Sequence, residues 1–80
     1  MLIMTQTKSE VVNLDSMDVI YGEPETACFN AGWKILARGA SGKSVTLGRY
    51  EDKKRLYEVL REIITEYRIP GKSAYEMPER

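Results

Sequence analysis

The sequence contains no histidine, a single cysteine and no long apolar run. Without histidine, the commonest general base and the commonest metal ligand are both missing. The lone Cys28 excludes an intramolecular disulfide and fits a reducing compartment. It sits beside Phe29 with no histidine to activate it, so it reads as a small buried residue rather than a nucleophile. The apolar start MLIM is only 4 residues long and no basic segment precedes it. Neither a signal peptide nor a membrane span is expected there, and cytoplasmic residence is the expectation. An excess of charge is missing too. Twelve basic residues balance 12 acidic ones, so overall charge gives no drive toward nucleic acid or an anionic membrane.

Carboxylate chemistry finds little support. Glu23 and Glu25 flank Pro24, and Asp15 and Asp18 lie close together, but both pairs read as solvated acids in turns. No acidic cluster has metal-ligand spacing. The expectation is a protein that is not an enzyme, with no catalytic residues, no metal and no cofactor.

What remains is an ordinary globular composition, 42% hydrophobic and 30% charged over 80 residues. That length allows one domain with a modest core, and self-association would relieve its marginal stability. Short β-type runs occupy Leu2–Thr5, Glu10–Leu14, Met17–Tyr21, Trp33–Arg38 and Lys43–Leu47. Gly22-Glu23-Pro24-Glu25 reads as a turn or loop, and Asn30-Ala31-Gly32 as a second interruption. Alternation places Trp33, Ile35 and Ala37 on one face and Lys34, Leu36 and Arg38 on the other, with Trp33 under the helix. Short links between the runs favour an antiparallel meander.

The helix is expected from Asp52 to Arg68. Leu56, Tyr57, Leu60, Ile63, Ile64 and Tyr67 recur at three- and four-residue steps. Asp52 is the expected N-cap, Pro70 and Gly71 stop the helix, and Lys54 and Glu58 are spaced for a weak pair. Residues 69–80 are expected to form a flexible tail beyond a domain at 1–68; its polar stretch GKSAYEMPER, residues 71–80, has Tyr75 and Met77 as its only large apolar groups. The expected fold is therefore α+β: an antiparallel meander of four to five strands covered on one face by one C-terminal helix. Its uncovered face, carrying Ile20 and Leu36, is the expected interface.

ARGASGKS, residues 37–44, matches the loosest form of a phosphate-binding loop. A working loop of that kind leads into a helix whose N-terminus cradles the phosphates. Here β-branched Val45 and Thr46 and then Gly48 follow, so the segment reads as a hairpin tip and no nucleotide is expected. Charge is nevertheless uneven: residues 1–30 carry a net −4 and residues 31–50 a net +4. Lys34, Arg38, Lys43 and Arg49, interleaved with Trp33 and Tyr50, are the candidate contacts for nucleic acid. The alternative is a basic strand pair lying beside an acidic strand of the same sheet.

LGRYEDKKRLYEVLREI, residues 47–63, resembles a group of small uncharacterised proteins of Gram-positive bacteria and their phages. In that group a strand-rich half leads through Leu-Gly-x-Tyr and a capping polar residue into an amphipathic helix with a Val-Leu pair. Leu47, Gly48, Tyr50, Asp52, Val59 and Leu60 occupy those positions. The segment SEVVNLDSMDVIYG, residues 9–22, is similar to the group's polar turn and paired strands. The resemblance covers residues 1–67 and excludes the tail. Leu56 stands where the group usually has alanine, which is expected to push the helix off the sheet. The resemblance implies a phage, prophage or mobile-element accessory protein and carries over no functional residue. The functional expectation is a self-associating module that binds another protein, with nucleic-acid binding through residues 33–50 as the alternative.

Overall fold

The structure, a computed structural model, describes residues 1–25 and 32–80. The chain is α+β, as expected. Strands β1 (Leu2–Met4) and β2 (Val11–Asn13) form a short hairpin, and a single 3-10 turn at Leu14–Ser16 leads into β3 (Met17–Glu25). Strands β4 (Gly32–Gly39) and β5 (Ser44–Tyr50) follow, then helix α1 (Lys53–Tyr67) and a last strand, β6 (Ala74–Glu76).

The strands divide into two sheets. The meander is confined to β3-β4-β5, which is antiparallel throughout, while β2-β1-β6 forms a second sheet in which β6 runs parallel to β1. Ile3 and Val12 from the second sheet meet Ile35, Ala37, Leu47 and Tyr50 of the meander in one core. Leu56, Val59 and Ile63 of α1 close it from above, and Tyr75 and Met77 complete it.

Residues 69–80 therefore do not lie outside the domain. The Leu2 amide donates to the Ser73 carbonyl at 2.8 Å and the Met77 amide to the Met4 carbonyl at 3.0 Å, bracketing the β1–β6 pairing. Alternation drives this segment inward: Tyr75 and Met77 are buried while Ala74 and Glu76 between and beside them face solvent.

The Gly22–Glu25 stretch is likewise strand, not turn. Among the described residues β3 pairs with β4 alone, so its other edge has no ladder there for Pro24 to interrupt. Asn30 and Ala31, expected as an interruption, and Cys28 and Phe29 lie outside the described residues. Residues 40–43 make the expected hairpin tip. Gly42 adopts φ +83°, its amide donates to the Gly39 carbonyl at 3.0 Å, and Ser44 begins a strand rather than a helix.

The Leu47-Gly48-x-Tyr50 run acquires a structural meaning. Leu47 is the extra residue of a bulge, since Ile35 pairs with Gly48 while Leu36 pairs with Thr46. The bulge lets Leu47 enter the core. Tyr50 folds back over Gly48, where a Cβ would stand 2.9 Å from the Tyr50 hydroxyl. That hydroxyl donates to the Pro78 carbonyl at 2.9 Å.

Helix α1 starts as the sequence requires. The Asp52 carboxylate accepts the Arg55 amide at 2.8 Å, satisfying one of the orphan donors of the first turn. Glu58, expected opposite Lys54, instead pairs with Arg55 at 3.6 Å. Leu56 does not lift the helix off the sheet. It packs into the space left by Gly22, where a Cβ would come within 2.7 Å of both Leu56 methyl groups.

Candidate interaction surface

Helix α1 has more apolar residues than the sheet covers. Leu56, Val59 and Ile63 are buried, and Leu60 is half-buried. Tyr57, Ile64 and Tyr67 are 53%, 53% and 54% exposed. Together with Leu60 they form a second apolar stripe at helical spacing, displaced around the helix from the buried one.

The stripe lines two depressions that meet at Ile64. One, about 300 Å³, lies between the last turns of α1 and the start of β3, with Leu14, Met17 and Ile20 facing Ile64 and Tyr67. The other, about 700 Å³, runs along Tyr57, Leu60 and Ile64. Its rim is mainly basic, Lys53, Lys54 and Arg61 against Glu58. The Lys53 ammonium stands 5.5 Å from the Trp33 ring centre and 5.7 Å from that of Tyr57, joining sheet and helix at this end. At the other end, the Tyr67 hydroxyl donates to Asp15 at 3.0 Å, and the N-terminal ammonium reaches the other oxygen of Asp15 at 3.0 Å. These two hydrogen bonds, with the charge of the ammonium, hold the Asp15 carboxyl below its usual range, and the same contact raises the Tyr67 phenol.

The opposite face of the meander is separate. Registers Tyr21–Leu36–Thr46 and Glu23–Lys34–Arg49 place these side chains on the face turned away from the helix. Ile20 and Leu36, expected on one uncovered face, are in fact on opposite faces: Ile20 pairs with Ala37 and packs against the core, while Leu36 pairs with Tyr21. Leu36 is only 7% exposed and offers little surface to a partner. Alternation fixes the faces within each strand, but only the register between strands fixes how Ile20 and Leu36 lie relative to each other.

Three of the four candidate nucleic-acid contacts share that far face, and Lys43 sits beyond them in the hairpin tip. Two are engaged by the neighbouring acidic strand. Lys34 lies 3.4 Å from Glu23 and 3.8 Å from Glu25, and Arg49 donates to Glu25 at 2.9 Å. Arg38 stacks on Tyr21, 5.5 Å from the ring centre. The basic and acidic strands therefore neutralise each other at one end of the sheet, leaving Arg38 and Lys43 at the other.

The two edges of the meander are treated differently. Along β5, Gln6 acts as a substitute strand. Its amide donates to the Leu47 carbonyl at 2.8 Å. Its side chain accepts the Arg49 amide at 2.7 Å and donates to the Arg49 carbonyl at 2.8 Å, as a paired backbone would. The same side-chain nitrogen also reaches the Pro78 and Glu79 carbonyls at 3.2 and 3.0 Å. Along β3, no such cover exists among the described residues.

The sequence reading missed Tyr57, Ile64 and Tyr67 as surface residues because it placed them in one stripe with the core. The signal was its width: six apolar positions plus Val59 exceed the face that a helix lays on a sheet. Among the described residues no group of three metal-capable side chains is found, and no helix is long and apolar enough to cross a membrane. Comparison with known proteins finds no matching family model, no matching curated protein and no matching solved structure.

Proposed function

We propose that this protein is a non-enzymatic, self-associating interaction module that binds another protein, in the setting of a phage, prophage or mobile element. The setting rests on the resemblance of residues 47–63. The binding reading rests on one observation: three large apolar residues, Tyr57, Ile64 and Tyr67, stand more than half exposed in line on a well-anchored helix. Exposed apolar groups that are contiguous, grooved and rimmed by charge mark interaction sites. The basic rim selects a partner with an apolar anchor flanked by acidic residues.

A photo-crosslinking residue at Ile64 tests this. It is expected to give a defined protein adduct, and the same residue at Thr46 on the far face is expected to give none. Adducts at both positions, or at neither, would sink the reading.

A second reading is favoured by the Arg38–Tyr21 stack on the far face, a cation beside an aromatic surface. If it holds, labelled oligonucleotides bind, and affinity falls about tenfold or more between roughly 50 and 200 mM salt. Lys34→Glu with Arg38→Glu then abolishes binding without unfolding the protein. The pairing of Lys34 and Arg49 with Glu23 and Glu25 weighs against it.

A further inference from the structure

We infer that the self-association proposed above is made by β3 pairing antiparallel with β3 of a second copy, about a twofold axis at Tyr21. The inference deepens that reading and rests on its self-association part alone.

The backbone phase of β3 can be worked out. The Gly39 amide donates to the Lys43 carbonyl at 3.4 Å, so Gly39 turns its backbone toward β5. Strand alternation then turns Trp33, Ile35 and Ala37 toward β5, and Lys34, Leu36 and Arg38 toward β3. The β3 partners of these last three are Glu23, Tyr21 and Val19. The backbone groups of Ile20, Gly22 and Pro24 therefore face the open edge. Pro24, which has no N–H, falls in that outward set, as an edge-strand proline must.

This edge is self-complementary. Setting Ile20 against Gly22 of the second copy, and Gly22 against Ile20, satisfies both amides and both carbonyls of each copy with four hydrogen bonds. Opposed residues have the same parity, so both copies keep their helices on the same side of the joined sheet. Tyr21 meets its own counterpart on the far face, each ring already carrying Arg38. On the helix face, Ile20 of one copy lies across from Gly22 of the other, which has no side chain of its own and is covered by Leu56.

The ends of the edge limit what can add. A bulge at Asp18, between the Met17–Gly39 and Val19–Arg38 pairs, breaks the ladder at one end, and Pro24 breaks it at the other. A short closed pairing fits between them, and an open-ended stack does not. Charge does not oppose a second copy: the twofold brings the Asp18 end of one β3 alongside the Glu23-Pro24-Glu25 end of the other, where Lys34 and Arg49 pair with the two glutamates and Lys53 stands over Trp33.

Amide hydrogen exchange, read with sedimentation velocity at roughly 10 µM and roughly 1 mM, tests this. The protein is expected to shift from monomer to dimer, with the Ile20 and Gly22 amides slowing about tenfold or more across that range. The Val19, Tyr21 and Glu23 amides, already paired to β4, are expected to be protected at both concentrations. A dimer whose Ile20 and Gly22 amides exchange as freely as in the monomer overturns the β3 pairing but leaves self-association standing. A monomer at both concentrations overturns both. The crosslink at Ile64 reads the partner surface separately in either case.

Discussion

Gly22 and Leu56 meet where β3 passes beneath the helix, and neither residue is interpretable alone. A leucine at 56 needs a neighbour without a side chain, and a Cβ at 22 would stand 2.7 Å from the leucine methyls. Gly22→Ala is therefore expected to destabilise the fold by about 1–3 kcal/mol, as overpacking does. In a Leu56→Ala background the same change should cost clearly less. Urea denaturation of the two single variants and the double variant measures this coupling, and strict additivity would refute the contact. Tyr50 carries a second residue-level prediction. Burial pushes its phenol up to about 12, with Glu62 adding to the rise and Arg55 opposing it. A raised folded-state pKa means that the folded protein holds its proton longer than the unfolded chain. The associated stability is complete below the unfolded value near ~10 and is lost as pH rises through about 12. Tyr50→Phe removes the hydroxyl bond to Pro78, costing about 0.5–1.5 kcal/mol at neutral pH. It should also flatten part of the alkaline decline. The rest belongs to Tyr75, whose phenol is raised by burial and by its bond to Glu62, and to Tyr67, whose phenol is raised by its bond to Asp15.

Among the elements, those that declare themselves locally were readable. Asp52 followed by apolar residues at helical spacing announces α1, and two glycines around Ala40-Ser41 announce the hairpin. What the sequence hides is long-range pairing. Pro24 looked like the end of a strand because proline usually is, and only the knowledge that β3 is an edge removes the objection. The three residues of β6 carry too little pattern to be seen, although Tyr75 and Met77 alternate as a half-buried strand should. The candidate surface was half visible: the apolar helix positions were identified, but which of them the sheet would leave uncovered depends on where α1 lands. The contrast between β6 and the exposed stripe can be measured. Met77→Ala is expected to cost about 2–5 kcal/mol, the range for truncating a buried methionine, where a free tail would give no change. Ile64→Lys is expected to stay within about 0.5 kcal/mol of the parent and yet abolish the adduct that a photo-crosslinking residue at Tyr57, on the same stripe, gives in the parent. Thermal denaturation distinguishes the two directly.

For the molecule as a whole, the β3 pairing proposed above would make a bivalent object. Both helices would lie on one side of the joined sheet, so two apolar stripes would point the same way. On a surface densely coated with partner, the dimer is expected to dissociate far more slowly than a variant held monomeric, by a factor of order 10²–10⁴ if both stripes engage. Equal off-rates would show that only one stripe binds at a time. The β1–β6 register has a consequence on a different clock. Ile3 lies opposite Tyr75, so one flank of β1 cannot be closed until synthesis has passed β6. At synthesis rates of ~5–20 residues per second, the nascent β1–β2 hairpin waits on the order of several seconds with that flank bare. Translation speed therefore enters the yield of this protein: a ribosome that pauses within α1 prolongs the interval in which another nascent chain can take the place of β6.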